Sequence, residues 1–508
     1  GKSLVLYYIS DSENIETDLR SYLQERLPSY MLPSYYHSMD RFPLTANGKL
    51  DREGFPEISI TAHATSGHGY VAPRNERETA IVTIWQSVLS QEKVGVKDDY
   101  FLLGGNSISA IKLLNEYHKQ FGVRISVQDL FEHSILEDHV LLLSNTVQTD
   151  YNPIPKVAIA ESYPLSNSQL RLWYASQLES NSVAYNMFSS VVLDRSYDIK
   201  SFEKAIHYTV DRHESLRTIF KEDAQGNLGQ VILSREALEF TVDHKDYRNE
   251  ENPQAAADAY IASLNYKVFD LSTGPLLRVS LLRISEHTYI FYSAMHHIIS
   301  DGWSMELLSR DIFGYYKSFA SGETPTEAPL RIQYKDYAVW QQAELAGNTE
   351  FDTAKDYWLD RLSGELPLID LPNQKLRPKF KSSNGKYLHT YIDAGLLQQM
   401  NTYVSDTDGS LFMLVLSLLN TTLYRYTASK DIIIGSPVAG RNHPDLENQI
   451  GFYVNNLAMR TRLDPEASFN ELYEKVKHNV LSDFAHQQYP FDTLVEELGL
   501  QYDASRTP

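Results

Sequence analysis

Two adjacent histidines carry the clearest chemical signal in this 508-residue chain. His296 and His297 stand in the stretch MHHIISDGWS and precede Asp301 and Gly302 by a short spacer. An imidazole titrates near neutral pH, so a histidine facing a cleft could accept or position a proton. The same side chains could instead bind a metal or pack at the end of a strand.

The surrounding residues predict a strand, a turn and a helix. HTYIFYSAMHH (287–297) has the aromatic and apolar content of a buried strand, and the segment WSMELLSRDIFGYY predicts a helix with Asp301 at or near its N-cap. Neighbouring strand residues point to opposite sides, so the two histidines cannot converge on one metal, and no third ligand is evident. A packing role and an acid–base role both remain open.

A serine at a predicted helix start is the second candidate. FLLGGNSISA (101–110) places a glycine turn directly before Ser107. The predicted helix ends at Gly122, and its apolar stripe is formed by Ile108, Ile111 and Leu114. A hydroxyl there could cap the helix. It could equally carry a phosphodiester, since a helix N-terminus stabilises an anion.

A lysine after a tight turn is the third candidate. PLTANGKLDR (43–52) contains Asn47-Gly48, a dipeptide typical of turns, followed by Lys49. Taken alone, an exposed lysine in this position indicates nothing more than a solvated side chain.

Composition excludes several classes of function. The net charge of −20 disfavours nucleic acid or an anionic membrane as the main partner. With no cysteine, disulfides, cysteine nucleophiles and cysteine-ligated zinc are excluded, which fits a cytoplasmic location. No signal peptide is evident. LFMLVLSLL (411–419) is too short to span a bilayer and predicts a buried helix, capped by Asp408 or Ser410.

Two segments without periodicity divide the chain. Residues 59–70 and 147–160 are rich in small, polar or proline residues and predict linkers. They separate an N-terminal piece, residues 1–58, from a small helical unit, residues 71–146, and a long C-terminal unit, residues 161–508.

The long unit resembles the condensation domains of nonribosomal peptide synthetases. Seven motifs occur in the family's order: SNSQLRLW, RHESLRT, MHHIISDGWS, YKDYAVW, IGFYVNN, HQQYPFD and DASRTP. The resemblance implies an α/β fold of two acetyltransferase-like lobes, about 161–340 and about 341–508, with the second lobe truncated. It implies that His297 is catalytic and His296 structural, that Asp301 pairs with an arginine, for which Arg212 is the candidate, and that the Gly302 N–H lies near the reacting carbonyl.

The other two units resemble parts of the same synthetases. FLLGGNSISA is similar to the attachment site of four-helix carrier domains, which implies 4′-phosphopantetheine on Ser107, added by a phosphopantetheinyl transferase. Asn106 replaces the histidine or aspartate usual before that serine. PLTANGKLDR is similar to the end of an adenylation domain, a small α+β subdomain in which Lys49 would contact the adenylate. The large ATP-binding part is not in this sequence, so we expect no adenylation.

The resemblance implies a multidomain segment that joins carrier-bound aminoacyl or peptidyl thioesters by an amide bond. The implied partners are an upstream adenylation core and downstream synthetase modules; no metal, nucleic acid or membrane is expected. Two alternatives remain: an epimerization domain, which shares the histidine motif, and a non-catalytic condensation-like platform that recruits other enzymes.

Overall fold

The computed structural model describes residues 5–8, 35–39, 70–146, 152–178, 182–194, 197–347, 349–372, 378, 385–386, 388–500 and 505–506. Lys49 lies outside the described residues. The chain divides into two compact units, one comprising residues 1–65 and 389–403 and the other comprising 66–388 and 404–508. In the first unit, β1 (Val5–Tyr8) pairs in parallel with β2 (Tyr35–Ser38), and Val5 lies opposite Tyr35.

The second unit begins with four helices: α1 (Glu76–Leu89), α2 (Ser107–Phe121), α3 (Val127–Glu132) and α4 (Leu136–Asn145). Asn75 caps α1 by accepting from the Glu78 N–H at 2.9 Å, and Ser126 caps α3 through a reciprocal bond with Asp129. Gly122, at a φ of +65°, follows the last residue of α2, as the sequence predicts.

A buried hydrogen-bonded chain holds this helical bundle together. The Trp85 Nε1–H donates to the Tyr117 hydroxyl at 2.7 Å, and that hydroxyl lies 2.7 Å from Nδ1 of His139. Nε2 of His139 lies 2.7 Å from the backbone carbonyl of His133 and therefore carries the ring proton. Burial lowers the pKa of His139 to about 4, so this imidazole is neutral near pH 7.

The predicted apolar stripe of α2 is rotated from the observed one. Leu113 and Tyr117 are fully buried, whereas Leu114 is only half-buried. Ile111 is buried as predicted. Tyr117 lies outside the predicted stripe, yet it is buried, and its hydroxyl is hydrogen-bonded inside the core to Trp85 and His139.

The remainder of the second unit contains a four-stranded sheet in the order β3-β8-β7-β6. Its strands are β3 (Asn186–Leu193), β6 (Asp243–Asp246), β7 (Leu277–Arg283) and β8 (Tyr289–His296); β4 (Thr218–Glu222) and β5 (Leu228–Ile232) form a separate hairpin. Only β6 and β7 run parallel in the larger sheet. Further along the chain, β9 (Asp431–Val438) pairs antiparallel with β10 (Asn455–Arg462).

Eleven further α-helices are described from residue 152 onward. They are α5 (Asn167–Leu178), α6 (Ile199–Arg212), α7 (Arg235–Leu238), α8 (Pro253–Asn265), α9 (Gly302–Ala320), α10 (Tyr334–Gly347), α11 (Thr349–Arg361), α12 (Ala394–Asp406), α13 (Leu411–Thr427), α14 (Phe469–Ala485) and α15 (Phe491–Glu497). None of the helices in the described ranges is long and apolar enough to cross a membrane.

The helix α13 is less buried than its sequence predicts. Ser410 caps it as expected, accepting from the Met413 N–H at 3.3 Å. Met413 and Leu416 are buried, but Val415 and Leu418 are more than 40% exposed. A run this rich in apolar residues predicts burial on all sides, and only one side of this helix is covered by the described residues.

Candidate active site

Asp301 is a fully buried carboxylate at the start of α9. Its Oδ1 accepts from the Ser304 N–H at 2.8 Å, which is the predicted N-cap bond, and also lies 2.7 Å from the Ser304 hydroxyl. Its Oδ2 accepts from the Tyr453 N–H at 3.1 Å. The cap thus joins α9 to the segment 450–456, which carries the IGFYVNN motif.

The cationic partner of Asp301 is Arg441. Its Nη2 lies 3.1 Å from Oδ1 of Asp301, and neither side chain has appreciable solvent exposure. The Nη1 of Arg441 donates to the carbonyls of Leu446 at 2.5 Å and Gln449 at 2.7 Å. The buried charge is therefore both paired and hydrogen-bonded, as a buried ion pair requires.

The prediction that Arg212 pairs with Asp301 is wrong. Nε of Arg212 lies 3.7 Å from Asp311, and its Nη2 lies 3.6 Å from Glu327. Asp311 is ten residues along α9 from Asp301, a rise of about 15 Å. Arg212 ends α6 beside the middle of α9, so it reaches the wrong aspartate for the predicted role.

The histidine of the RHESLRT motif shares Asp311 with Arg212. Nε2 of His213 lies 2.8 Å from Asp311, and Nδ1 accepts a long bond of 3.4 Å from the Ile450 N–H. Burial lowers the pKa of His213 despite the carboxylate. This residue joins the segment 450–456 to α9 at a second position, and it is not among the site residues predicted from the sequence.

His296 and His297 have different surroundings. His296 ends β8, is 5% exposed, and accepts from the Ile298 N–H at 3.2 Å through Nδ1. Its ring packs near Tyr185 and Phe269, and burial lowers its pKa to about 3. These are the contacts of a neutral, packed side chain.

His297 is half-buried and begins a short 3₁₀ turn, His297–Ile299, rather than continuing the strand. Its N–H donates to the Tyr185 carbonyl at 2.9 Å, and its ring meets the Phe452 ring edge-on at 4.6 Å. Within the described part of the chain, Nδ1 of His297 has no hydrogen-bond partner. Asp301 therefore does not orient this imidazole in the manner of a hydrolase triad.

Hydrogen bonds join several of the motifs to one another, and one of these bonds reaches the loop that carries His297. Nε2 of Gln169, from SNSQLRLW, donates to the Ile298 carbonyl at 3.3 Å. The Tyr334 hydroxyl, from YKDYAVW, donates to the carbonyl of Phe452 at 2.6 Å. Asn455 donates to the carbonyls of Gln487 and Tyr489 at 2.9 and 2.7 Å. Gln169 therefore contacts the loop directly, and the other bonds hold the segment 450–456 to motifs that are distant in sequence.

Gly302 is the first residue of α9 and is exposed. A Cβ placed on it would meet nothing within 4 Å, so the space above the helix start is open. The described ranges contain no group of three or more histidine, aspartate or glutamate side chains that could hold a metal ion.

The backbone of Ser107 is the first residue of α2; its side chain is outside the described atoms. The preceding turn is tightly built: a Cβ on Gly105 would lie 2.3 Å from the Tyr100 ring. Oδ1 of Asn106 accepts from the Ser109 N–H at 3.1 Å, so Asn106 caps the helix. Because Asn106 caps the helix, Ser107 is not needed as a cap, which fits attachment of a phosphodiester at this position.

Comparison with known proteins identifies both regions. The family model for the condensation domain matches residues 159–508, and the model for the phosphopantetheine attachment site matches residues 79–140. Tyrocidine synthase 3 of Brevibacillus parabrevis is 35% identical over 505 residues, covering 99% of this chain and 8% of that protein. Surfactin synthase subunit 1 of Bacillus subtilis (strain 168) is 37% identical over 98% of this chain and 13% of its own length.

Two solved structures share the fold. The X-domain in its complex with OxyB from teicoplanin biosynthesis has a TM-score of 0.64 at 27% identity, over 71% of this chain and 78% of that one. The starter condensation domain of rhizomide synthetase has a TM-score of 0.54 at 24% identity, over 68% and 78%. The chain belongs to the condensation-domain family of nonribosomal peptide synthetases, and it carries a phosphopantetheine attachment domain ahead of its condensation domain.

Proposed function

We propose that this chain joins two thioester-activated building blocks by an amide bond at the loop that carries His297. The contacts around that loop support the proposal. Asp301 pairs with Arg441 and accepts from the Tyr453 N–H, which ties the loop to the segment 450–456. The half-buried imidazole of His297 lies against Phe452. The curated relatives are peptide synthases, of which this chain spans only 6% to 18%.

The reaction is an acyl transfer from sulfur to nitrogen. The lone pair of the acceptor α-amine attacks the thioester carbonyl of the donor, a C–N bond forms, and the C–S bond breaks. The thiolate leaves and takes up the proton lost by the amine. A free α-amine titrates near ~7.7–8.0, so a useful fraction is already neutral near pH 7.

His297 acts mainly by placing the amine. With no carboxylate on Nδ1 in the described structure, the imidazole lacks the partner that strengthens a triad histidine as a base. Positioning of tethered reactants can lower the barrier by about 7–11 kcal/mol. General-base help typically gives a rate factor of about 10²–10⁴, which corresponds to about 3–5 kcal/mol. The N–H of Gly302, at the open start of α9, is the donor we assign to the developing oxyanion.

Ser107 is the residue we assign to phosphopantetheine attachment. When bound, this group supplies the thiol that carries the acyl chain as a thioester. The chain's own contribution is the start of α2, presented after the turn that Gly105 packs against Tyr100. A phosphopantetheinyl transferase and neighbouring synthetase modules are the partners this assignment requires.

The first 58 residues are proposed to be the end of an adenylation domain. On this proposal Lys49 is a residue that acts on an adenylate formed by an ATP-binding part outside this sequence. A cytoplasmic location is proposed with it.

A non-catalytic recruitment platform is the second candidate. It is favoured by the likeness to the teicoplanin X-domain, which was solved in complex with OxyB. The intact His297–Asp301–Gly302 arrangement favours catalysis instead. An epimerization domain is the third candidate, and it would exchange the Cα proton of one carrier-bound residue without forming an amide.

The first test is loading. Incubation with coenzyme A and a phosphopantetheinyl transferase should add one phosphopantetheine mass to the chain, and Ser107→Ala should add none. The neighbouring Ser109→Ala is the matched control and should still be loaded. Loading that persists in Ser107→Ala would refute the assignment.

The second test is turnover. The chain, loaded at Ser107 with an acyl group, is mixed with an aminoacyl thioester of N-acetylcysteamine, and the amide is measured by mass spectrometry in a single turnover. His297→Ala should slow amide formation by about 10²-fold or more while loading is unchanged. Equal rates of enzymatic amide formation in both proteins would refute the role of His297. Amide formation no faster than the uncatalysed reaction in both proteins, together with binding of a second enzyme, would favour the platform. Deuterium uptake at Cα without amide would favour epimerization.

A further inference from the structure

The segment between β9 and β10 makes contacts on two sides. We call residues 441–449 the docking segment; it contains a 3₁₀ turn, Pro444–Leu446. Its inner side holds the guanidinium of Arg441 against Asp301. Gly440, just before it, has a φ of +64°, and a Cβ there would lie 1.9 Å from the Tyr453 carbonyl. The backbone is therefore closely packed where the segment enters the site.

The outer side of the docking segment contacts the carrier domain. Nδ2 of Asn115, a residue of α2 that is 5% exposed, donates to the backbone carbonyl of Arg441 at 3.2 Å. Further along the same helix, Nζ of Lys119 lies 2.5 Å from Oε2 of Glu447. The glutamate side chain is only 10% exposed, so it depends on the lysine for charge compensation.

Trp303 connects the two sides. Its Nε1–H donates to the carbonyl of Glu447 at 3.1 Å. Nζ of Lys112, on α2, lies 4.5 Å from the centre of its ring, and Cζ of Arg441 lies 5.3 Å from it. A cation from the carrier and the cation that pairs with Asp301 therefore contact the same indole.

The linker that follows the carrier also lies on the docking segment. The Ile154 N–H donates to Oδ2 of Asp445 at 3.1 Å, and Nε2 of His443 lies 3.1 Å from the Asn152 carbonyl. Arg331 donates to the Ile154 carbonyl at 2.8 Å and pairs with Asp445. One short segment therefore contacts the carrier, the linker and the catalytic loop.

We propose that the docking segment reports the presence of the chain's own carrier domain to the active site. With the carrier seated, Asn115 and Lys119 hold the outer side and Arg441 is held on Asp301. When the carrier leaves, the outer contacts are lost and the bonds to Asp301 open more often. The inference goes beyond the reaction proposed above, because it concerns how the site is regulated and does not depend on which bond the site makes.

The charges at this contact make the coupling physically reasonable. Burial raises the pKa of Glu447, and Lys119 opposes that shift. Removing Lys119 leaves a desolvated carboxylate that is stabilised by moving toward water, which displaces the carbonyl shared with Trp303. α14 also packs against α3, so a second contact, remote from Asp301, helps to seat the carrier.

The test uses hydrogen exchange of the whole chain. The amides of Ser304 and Tyr453 both donate to Asp301, so their exchange rates measure how often this site opens. Lys119→Glu and Glu447→Lys should each accelerate exchange at both amides roughly tenfold, within the range of typical coupling between sites. The double reversal, K119E with E447K, should restore slow exchange. Lys93→Glu, an exposed lysine elsewhere on the carrier, is the matched control and should change neither amide.

A second measurement tests the docking itself. Because the chain has no cysteine, Lys119→Cys with Glu447→Cys provides a single pair of thiols for a short bismaleimide. Efficient intramolecular cross-linking is expected, and Lys93→Cys with Glu447→Cys should give little. Absence of cross-linking would refute docking in solution. Cross-linking with unchanged exchange in both charge reversals, or exchange that the double reversal does not restore, would refute the coupling. Lys119→Met, a milder change, replaces the reversal if that variant does not fold.

Discussion

The ion pair between Asp301 and Arg441 gives the sharpest stability prediction. Asp301→Ala removes the helix cap, worth about 1 kcal/mol, and leaves the Arg441 guanidinium buried without its carboxylate. Removing one partner of a buried pair costs about 3–5 kcal/mol. Arg441→Met should cost less, because Asp301 keeps the donors of Ser304 and Tyr453. We therefore expect the alanine variant to be the less stable of the two.

The double variant separates pair energy from other effects. In Asp301→Ala with Arg441→Met no charge is left buried alone, so its loss of unfolding free energy should fall short of the sum of the single losses. The expected coupling is about 2–3 kcal/mol, the scale of hydrogen bonds to charged groups. Urea denaturation followed by tryptophan fluorescence measures it, because all but one of the five tryptophans lie outside the carrier: Trp173, Trp303, Trp340 and Trp358.

Arg212 provides the matched control for this cycle. It was the partner predicted from sequence, but it contacts Asp311 and Glu327. Asp301→Ala with Arg212→Met should therefore be additive within about 0.5 kcal/mol. A coupling to Arg212 as large as the coupling to Arg441, or additivity in both cycles, would refute the assignment of the pair.

Three further predictions concern other parts of the chain. The carrier domain should lose up to about 3 kcal/mol of stability as pH falls from about 6.5 to about 4, because the unfolded state binds a proton that buried His139 does not. Thermal melting followed by the ¹⁹F signal of 5-fluorotryptophan at Trp85, which is resolved from the other four tryptophans, should show this window, and His139→Gln should remove it. Gly440→Ala should destabilise the chain by more than about 1 kcal/mol, since its φ is positive and the Tyr453 carbonyl occupies the space; Gly322→Ala, with a positive φ but open space, is the comparison in the same urea assay. The chain should show no amino-acid-dependent exchange of pyrophosphate into ATP, and exchange that disappears in Lys49→Ala would contradict the expectation that the ATP-binding part is not in this sequence.

Local features of the site could be predicted from sequence, whereas its long-range partners could not. The strand before Asp301 and the cap at Asp301 depend on residues within a few positions, and both are confirmed, although the strand ends at His296 and not at His297 as predicted. Arg441 is 140 residues from Asp301 and belongs to none of the seven motifs, so no local pattern indicates it. Arg212 lies in one of the motifs, but α6 meets α9 beside Asp311 and not beside Asp301.

Burial was harder to predict than secondary structure. The start and end of α2 follow from its glycine turns. Its buried face includes Tyr117, because the hydroxyl of that residue has hydrogen-bond partners on two other helices. In α13 the apolar sequence predicts the helix and its cap correctly. It overstates burial, because hydrophobic content reports what a helix can bury and not what the described structure places against it.

The separation of Asp301 from its partners also sets the order in which the site can form during synthesis. Asp301 leaves the ribosome 140 residues before Arg441 and 152 before Tyr453, and at ~5–20 residues per second that is about 7–30 seconds. The sheet β3-β8-β7-β6 is complete in sequence by residue 296 and can form during this interval. Asp301 therefore lacks these partners until residues 441–453 have been synthesised, so the proposed site is completed late in folding, after the sheet beside it has had time to form.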